Sequence, residues 1–282
     1  MKTGLVLEGG AMRGIYTAGV LDVFMEEGIT FDGVVGVSAG AIHGASFVSG
    51  QKGRNLRYYK KYSRDWRFMS VKSMLLTGDL VNEQFSYHEL PDTLDPFEYD
   101  VFDQSETKLY CTVTNLETGK AEYLTMKDSR KEIDILRASA SMPYCTKPVH
   151  FDGKILLDGG CSDSIPVAAF AKMGFNRPVV VLTQDRDYVK KPMNNFMIKA
   201  FYHKFPNFMK ALRTRHIRYN KTREQIQKWE AEGKIFCIYP SKELDIGRME
   251  KDPEELQRIY DIGVKDARDS LEAMKEFLKM EE

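Results

Sequence analysis

The stretch Phe31-Asp-Gly-Val-Val-Gly36-Val-Ser38-Ala-Gly40-Ala-Ile-His-Gly-Ala45 decides the fold of this chain. An apolar run enters it and a run of small residues leaves it, which predicts a buried strand, a sharp turn and a helix. Gly36 and Gly40 allow a backbone turn tight enough to hold Ser38 in an exposed, strained position at the apex. A hydroxyl above a helix N-terminus suits a nucleophile that must stabilise an oxyanion, although ordinary tight turns also produce this spacing.

The segments around this turn predict a single α/β domain with one inserted segment. Strand-like and helical patterns alternate from residue 4 to residue 49, an order typical of a parallel sheet with helices on its faces. One short helix ends before Pro143 and an amphipathic helix covers residues 253–278. The predicted strands are residues 4–7, 31–37, 108–115, 121–125, 154–157, 178–183 and 234–239.

Residues 185–230 differ in composition and are predicted to be an insertion over the core. Residues 231–282 then supply the last core strand and the C-terminal helix. The segment between Val189 and Thr222 contains no Asp or Glu, and its basic residues alternate with aromatic residues and methionines. From Lys190 to Arg223 this mixture suits contact with anionic lipid headgroups at a membrane surface. A phosphate-bearing nucleic acid strand and a helical cap with packed aromatic residues are the alternatives.

A serine nucleophile needs a nearby base, and Asp158 is the best candidate. It follows the predicted strand 154–157 and precedes Gly159 and Gly160, which allow close approach of another segment or a substrate. If that strand runs parallel to its neighbours, Asp158 lies at the carboxyl edge of the sheet, where sites gather. A carboxylate acts as a general base when burial raises its pKa. A plain Asp-Gly turn is the alternative interpretation.

No histidine is placed to complete a serine–histidine–acid triad. His43 follows Ser38 by five residues on the same predicted helix, roughly 140° around its axis, and should point elsewhere. A triad of the α/β-hydrolase type needs a histidine after its acid. Only His203 and His216 follow Asp158, and both lie in the basic insertion.

The glycine-rich loop at residues 8–14 is a candidate oxyanion hole. The backbone N–H groups of Gly9, Gly10 and Ala11, at the start of a helix, would aim donors at a developing negative charge. Arg13 would add positive charge there or pair with a carboxylate. A dinucleotide-binding loop is the alternative, but that fingerprint requires glycine where Ala11 stands.

Three motifs occur in the order and contexts of patatin-like phospholipases: Gly9-Gly10-Ala11-Met12-Arg13-Gly14, Gly36-Val37-Ser38-Ala39-Gly40 and Asp158-Gly159-Gly160. The segment Arg137-Ala-Ser-Ala-Ser-Met-Pro143 resembles the stretch that precedes the third motif in that family. The chain is most similar to the bacterial branch. The resemblance departs at Ala11, where many members carry glycine, and at Glu8, where many carry aspartate.

The resemblance implies a three-layer α/β/α fold with a mainly parallel central sheet. It also implies that Ser38 is the nucleophile, that Asp158 is the proton acceptor and that no histidine takes part. The oxyanion hole would be formed by Gly9, Gly10 and Ala11, with Arg13 nearby. The glycines that would support these motifs are Gly14, Gly36, Gly40, Gly159 and Gly160.

The expected function is hydrolysis of fatty-acyl esters of lipids or phospholipids through an acyl-enzyme, with no metal and no cofactor. A thioesterase or general carboxylesterase with the same dyad is one alternative. A non-catalytic module that binds a nucleotide or an anionic lipid is another.

The formal net charge is zero, with 41 basic and 41 acidic residues, so we expect no nucleic acid partner. The expected location is the cytoplasm, with peripheral membrane contact, because neither a secretory signal nor a bilayer-spanning stretch is recognisable. Substrate and oligomeric state stay open.

Overall fold

A computed structural model describes residues 2–279 of the chain. Two 3₁₀ turns, Ala11–Arg13 and Gly159–Cys161, and a π-helical segment, Phe85–Leu94, accompany the longer elements. The strands are β1 (Lys2–Leu7), β2 (Gly33–Val37), β3 (Lys108–Asn115), β4 (Ala121–Leu124), β5 (Val149–Phe151), β6 (Lys154–Asp158), β7 (Phe175–Val181) and β8 (Phe236–Ile238). The helices are α1 (Gly14–Glu26), α2 (Ala39–Val48), α3 (Arg54–Tyr62), α4 (Val71–Thr77), α5 (Tyr99–Gln104), α6 (Asp134–Ala140), α7 (Val167–Lys172), α8 (Asn195–Tyr202), α9 (Pro206–Arg213), α10 (Arg215–Ala231) and α11 (Pro253–Lys279).

The strands form one sheet in the order β5-β6-β3-β2-β1-β7-β8, and β4 also pairs with β3. Strands β3, β2, β1, β7 and β8 run parallel to one another. Strands β4, β5 and β6 are added by antiparallel pairing. The mainly parallel sheet that the sequence predicts is therefore confirmed.

Alternate residues of β1 serve the two faces of the sheet, as the period of a strand requires. Leu5 and Leu7 are fully buried in a core shared with helices α1, α2, α3 and α11. Val6, also fully buried, belongs to a second core with Phe170 of α7 and Ile226 of α10. Helices thus cover both faces, which confirms the three-layer architecture.

The register of the sheet brings the ends of β2 and β6 together. Val37, the last residue of β2, lies opposite Thr112 of β3, and Asp158 lies opposite the next residue, Val113. The expectation that the strand before Asp158 is parallel is wrong, because β6 runs antiparallel to β3. Asp158 nevertheless lies at the carboxyl edge of the parallel strands. The last residue of β6 pairs with Val113, which directly follows the residue of β3 that pairs with the end of β2.

The helices of the basic segment pack on the domain with a small core of their own. Ile198 and Tyr202 of α8 and Phe208 and Leu212 of α9 are buried together with Leu157 of β6. The aromatic residues of this segment are therefore divided between packing and solvent. Phe196 and Phe201 of α8 are 75% and 55% exposed.

The sequence predicts the sheet better than it predicts the region between β2 and β3. The predicted strands are present, although β7 begins at Phe175 rather than at residue 178. Helices α3, α4 and α5 and the π-helical segment were not predicted. Pro91 lies inside the π-helical segment, and a proline there obscures any helical signal in the sequence.

Candidate active site

Ser38 occupies a strained turn between β2 and α2. Its φ and ψ angles are 55° and −124°, a backbone conformation that residues other than glycine rarely adopt. The neighbouring glycines are required by close packing. A Cβ atom on Gly36 would lie 2.5 Å from the backbone of Ala41, and one on Gly40 would lie 2.6 Å from the carbonyl oxygen of Leu7. Strand, turn and helix are therefore packed too closely to allow larger residues.

Ser139 of α6 links this turn to the neighbouring strand, β3. The Ser38 N–H donates to the Ser139 hydroxyl at 3.0 Å, and that hydroxyl donates to the carbonyl oxygen of Thr112 at 2.8 Å. All three residues are buried. The backbone of the strained residue is thereby tied to β3, a contact across 101 residues of sequence that sequence reasoning did not find.

Asp158 faces Ser38 from the end of β6, and both residues are 7% exposed. The Gly160 N–H donates to the Asp158 carboxylate at 2.7 Å, and Ser38 forms a hydrogen-bonding side-chain interaction with it. Burial raises the pKa of this carboxyl group above its usual range. The Ser38 and Gly160 hydrogen bonds, and then the charges of Arg215 and Lys190, offset part of that rise.

The glycine loop lies against the Ser38 turn. A Cβ atom on Gly9 would lie 2.8 Å from the carbonyl oxygen of Val37, so the loop passes directly over the end of β2. Ala11 has a φ of 49°, in the left-handed region. Within residues 2–279, the N–H groups of Gly9, Gly10 and Ala11 donate no hydrogen bond, and they are therefore available to a ligand.

The remaining predicted residues lie around this centre. The side chain of Arg13 lines the same cavity as Ser38, and its buried Nε atom has no partner within the described chain. Gly14 is confined by Ala39 and by the ring of His43, and Gly159 by the backbone of Thr112. The structure thus brings together the three motifs that lie far apart in the sequence.

Glu8 anchors the basic segment to the glycine loop. Its buried carboxylate accepts hydrogen bonds from the Thr183 N–H at 2.7 Å and from the Tyr219 hydroxyl of α10 at 2.6 Å. Burial and the neighbouring Glu8 charge raise the pKa of Tyr219 far above its usual range, so the phenol keeps its proton. Sequence reasoning missed this contact, and the departure from aspartate at Glu8 was the one signal near it.

Ser38 lies where two cavities of different character meet. The first is apolar and is formed by the helices between residues 39 and 142. Its one arginine, Arg54, is neutralised by Asp95, with Nε and a carboxylate oxygen 3.3 Å apart. The residues that give this cavity its apolar surface include Ile42, Tyr58, Phe68, Met69, Val81 and Leu90.

The second cavity is strongly cationic. Ser38, Ala11 and Met142 line both cavities, so the two are continuous around the serine. Asp158 and Glu8 are the acidic residues of the second cavity. Its basic residues are Arg13, Lys190, Arg215 and Arg248.

The family comparisons agree with this arrangement. The family model described as "Patatin-like phospholipase" matches residues 5–171, more than half of the chain. The chain belongs to the patatin-like phospholipase family. Membership in this family of lipid ester hydrolases makes the chain a hydrolase of carboxylic esters. A second family model, described as a domain of unknown function, DUF6363, matches residues 205–279.

This patatin-like chain is similar in sequence to named proteins of bacteria and fungi. It is 28% identical over 254 residues to the uncharacterized protein YjjU of Escherichia coli, a match that covers 86% of this chain and 70% of the relative. It is 31% identical over 176 residues to lysophospholipase nte1 of Emericella nidulans, covering 61% of this chain and 11% of the relative. VipD from Legionella pneumophila aligns with a TM-score of 0.47 at 12% identity, over 96% of this chain and 67% of that protein.

Among the described residues of this patatin-like chain, no histidine lines either of the cavities that meet at Ser38. His43 is fully buried against Gly14, and burial lowers its pKa to about 4, which keeps it neutral. Across residues 2–279, no three His, Cys, Asp or Glu side chains are grouped so that they could hold a metal ion. In the same range, every helix is too short or too polar to cross a bilayer.

Proposed function

We propose that this protein is a serine acyl hydrolase that cleaves fatty-acyl esters of lipids through a Ser38–Asp158 dyad. The observation that carries the proposal is the pairing of a strained, buried serine with a buried carboxylate at the junction of two cavities that contain no histidine. The raised pKa of Asp158 favours proton acceptance, because a carboxyl group with a higher pKa is a stronger base.

The proposed reaction has two steps. Asp158 takes the hydroxyl proton as Ser38 Oγ attacks the ester carbonyl carbon, and the tetrahedral intermediate collapses with loss of the alcohol, which receives that proton. The N–H groups of Gly9, Gly10 and Ala11 hold the oxyanion, next to the charge of Arg13. Asp158 then takes a proton from water as the water oxygen attacks the acyl carbon, and the second tetrahedral intermediate collapses with release of the fatty acid while Asp158 returns that proton to Ser38 Oγ.

The apolar cavity supports a lipid substrate. An acyl chain in this cavity would replace water at apolar walls, and each buried methylene group contributes about 0.8 kcal/mol. Relatives named lysophospholipases agree with this substrate class. This chain covers only 11–13% of the length of those relatives, so the assignment rests mainly on the cavity.

A fluorophosphonate probe tests the proposed nucleophile directly. We expect labelling of the wild type, loss of labelling in Ser38→Ala, and wild-type labelling in Ser241→Ala, which removes an exposed serine outside both cavities. A folded wild-type protein that is not labelled would instead support a non-catalytic module that binds a nucleotide or an anionic lipid. Faster turnover of acyl-thioesters or short water-soluble esters than of lipid esters would support the thioesterase or carboxylesterase alternative.

We further propose that residues 185–230 form an inserted cap that contacts anionic membranes between Lys190 and Arg223. The exposed Phe196 and Phe201 of α8 flank the exposed Lys199, which suits insertion of rings beside a cation that meets headgroups. Sedimentation with vesicles of increasing phosphatidylglycerol content tests this. Phe196→Ser with Phe201→Ser should weaken binding, and binding that depends on neither lipid charge nor salt would contradict the proposal.

A further inference from the structure

Four basic residues converge on the second cavity without an acidic partner. Within residues 2–279, no carboxylate lies within 4.0 Å of the side-chain nitrogens of Arg13, Lys190, Arg215 or Arg248. Arg215 donates from Nε to the carbonyl oxygen of Gly160, which directs its guanidinium toward the Asp158 loop. We call these four residues the cation group.

The cation group carries an electrostatic cost that the carboxylates of Glu8 and Asp158 relieve only in part. Lys190 is half-buried, with its ammonium group 4.1 Å from the centre of the Tyr219 ring. Burial, followed by the like charges of Arg215, Arg13 and Arg248, lowers the pKa of Lys190 to about 8, although Glu8 acts in the opposite direction. Partly buried cations held this way are stabilised by an anion brought in from outside.

The two carboxylates in this cavity are already engaged. Glu8 accepts hydrogen bonds from Tyr219 and Thr183, and Asp158 accepts one from Gly160 and faces Ser38. Neither is free to move to the cation group. Any further negative charge in this cavity would have to come from a bound molecule.

We infer that the alcohol released from the ester carries a phosphate monoester, which the cation group binds. This inference rests on the proposed acyl hydrolase function, because it places the acyl chain in the apolar cavity and the leaving alcohol on the opposite side of Ser38. Arginine and lysine bind phosphate oxygens through charge-assisted hydrogen bonds. A phosphocholine group would instead bring a quaternary ammonium toward the same cations, and like charges in an enclosed site repel strongly.

The test compares three esters with one acyl chain: decanoyl lysophosphatidic acid, decanoyl lysophosphatidylcholine and monodecanoylglycerol, each kept below its micelle concentration. We expect kcat/KM for the lysophosphatidic acid to exceed that for monodecanoylglycerol at least tenfold, and the lysophosphatidylcholine to be the poorest of the three. The ratio between the first and third substrates should fall at least tenfold in Lys190→Met and in Arg248→Gln. Lys221→Met, an exposed residue of α10 outside both cavities, should keep the wild-type ratio.

The outcomes separate this inference from the function on which it rests. Equal kcat/KM values for lysophosphatidic acid and monodecanoylglycerol would overturn the phosphate site and leave the hydrolase proposal intact. A parallel loss on both substrates in Lys190→Met would assign that residue a structural role and contradict the inference for it. Faster turnover of decanoyl-coenzyme A than of lysophosphatidic acid would overturn the glycerophosphate assignment, because the phosphate would then come from coenzyme A. Absence of turnover on every substrate, with no Ser38-dependent probe labelling, would refute the hydrolase itself.

Discussion

The two cavities that meet at Ser38 differ in how closely their basic side chains are paired with carboxylates. In the apolar cavity, Arg54 is paired with Asp95 and lies against the rings of Tyr58 and Phe97, so its charge is satisfied within the protein. In the second cavity, no carboxylate of the described residues lies within 4.0 Å of a side-chain nitrogen of the cation group, and Glu8 and Asp158 act on these charges only from a greater distance. A charge that the fold satisfies belongs to the structure, whereas a partly buried charge that it leaves unsatisfied indicates a ligand.

The two cavities would also make separate contributions to the binding free energy of a lipid substrate. The apolar cavity would stabilise an acyl chain in proportion to the area it buries, with little dependence on pH or salt. The cation group would recognise charge, and its contribution would fall as ionic strength rises. Substitutions that act on one cavity, on both, or on the residues between them should therefore have distinguishable effects.

The largest effect should come from Asp158→Asn, which removes the proposed base beside Ser38, where the two cavities meet. Loss of the general base should lower kcat by about 10²–10⁴-fold on every ester, whatever its chain or headgroup. Steady-state kinetics on the three decanoyl esters measures this. A drop confined to one substrate would mean that Asp158 acts in binding and not as the base.

The same variant should be as stable as the wild type or more stable. Because the pKa of Asp158 is raised in the folded state, folding favours the protonated form, and stability is lost as pH rises from the unfolded value toward and above the folded one. The substituted amide is neutral at every pH and avoids that loss, so the melting temperature of the variant at pH 7–8 should match or exceed that of the wild type. By the same logic, kcat of the wild type should fall as pH decreases through the raised pKa, with its midpoint above 3.8.

The next effect should come from Val81→Trp, which acts on the apolar cavity and leaves the cationic cavity unchanged. Val81 lines that cavity, and the larger ring should displace the end of a long acyl chain. Exclusion of two methylene groups costs about 1.6 kcal/mol, or roughly a tenfold loss of kcat/KM. We expect that loss for long-chain esters relative to butanoyl esters, without a change in headgroup preference. Val71→Trp, at a position that is 53% exposed on α4, is the matched control.

The sequence predicts the centre of the site better than the cavities around it. Ser38 and Asp158 stand beside glycines that tight packing requires, so local sequence marks them. Much of the wall of the apolar cavity comes from residues 54–97, where Pro91 and polar helix faces obscure the periodicity. Their contribution depends on packing across the domain, which single-sequence patterns do not contain.

Long-range polar contacts were the other part that sequence could not supply. Ser139 reaches Ser38 across 101 residues, and Tyr219 reaches Glu8 across 211. Serine and tyrosine are common residues with no spacing rule that would pair them at such distances. The basic composition of residues 189–222 was visible, but the direction of Lys190 and Arg215 into the site required the position of α10.

A smaller effect should come from Tyr219→Phe, which removes the hydrogen bond between α10 and Glu8 in the wall of the cationic cavity. The change leaves a buried oxygen of Glu8 without its 2.6 Å hydrogen bond, at a cost of about 1–3 kcal/mol. For a domain of this size, each kcal/mol lowers the melting temperature by about 2–4 °C. The ring that faces Lys190 is retained. Thermal unfolding followed by circular dichroism measures the shift, and Tyr188→Phe, whose hydroxyl has no described partner, should produce almost none.

The smallest effect should come from Ala11→Gly, at a residue that lines both cavities. Ala11 has a φ of 49°, and a left-handed conformation costs a residue with a Cβ atom roughly 1–2 kcal/mol. Glycine removes that strain but loses more chain entropy on folding, about 0.5–1 kcal/mol. The net change should be a stabilisation of at most about 1.5 kcal/mol, with the chain-length and headgroup preferences both retained because the N–H donor is retained.

The control for this variant has the opposite sign. Ala273→Gly, at an exposed position inside α11, should destabilise the protein by about 1 kcal/mol, because glycine is unfavourable in the interior of a helix. If Ala11→Gly lowers the melting temperature as much as Ala273→Gly does, the loop does not store strain at Ala11. If it changes only one of the two substrate preferences, Ala11 belongs to one cavity and does not serve as a shared oxyanion donor.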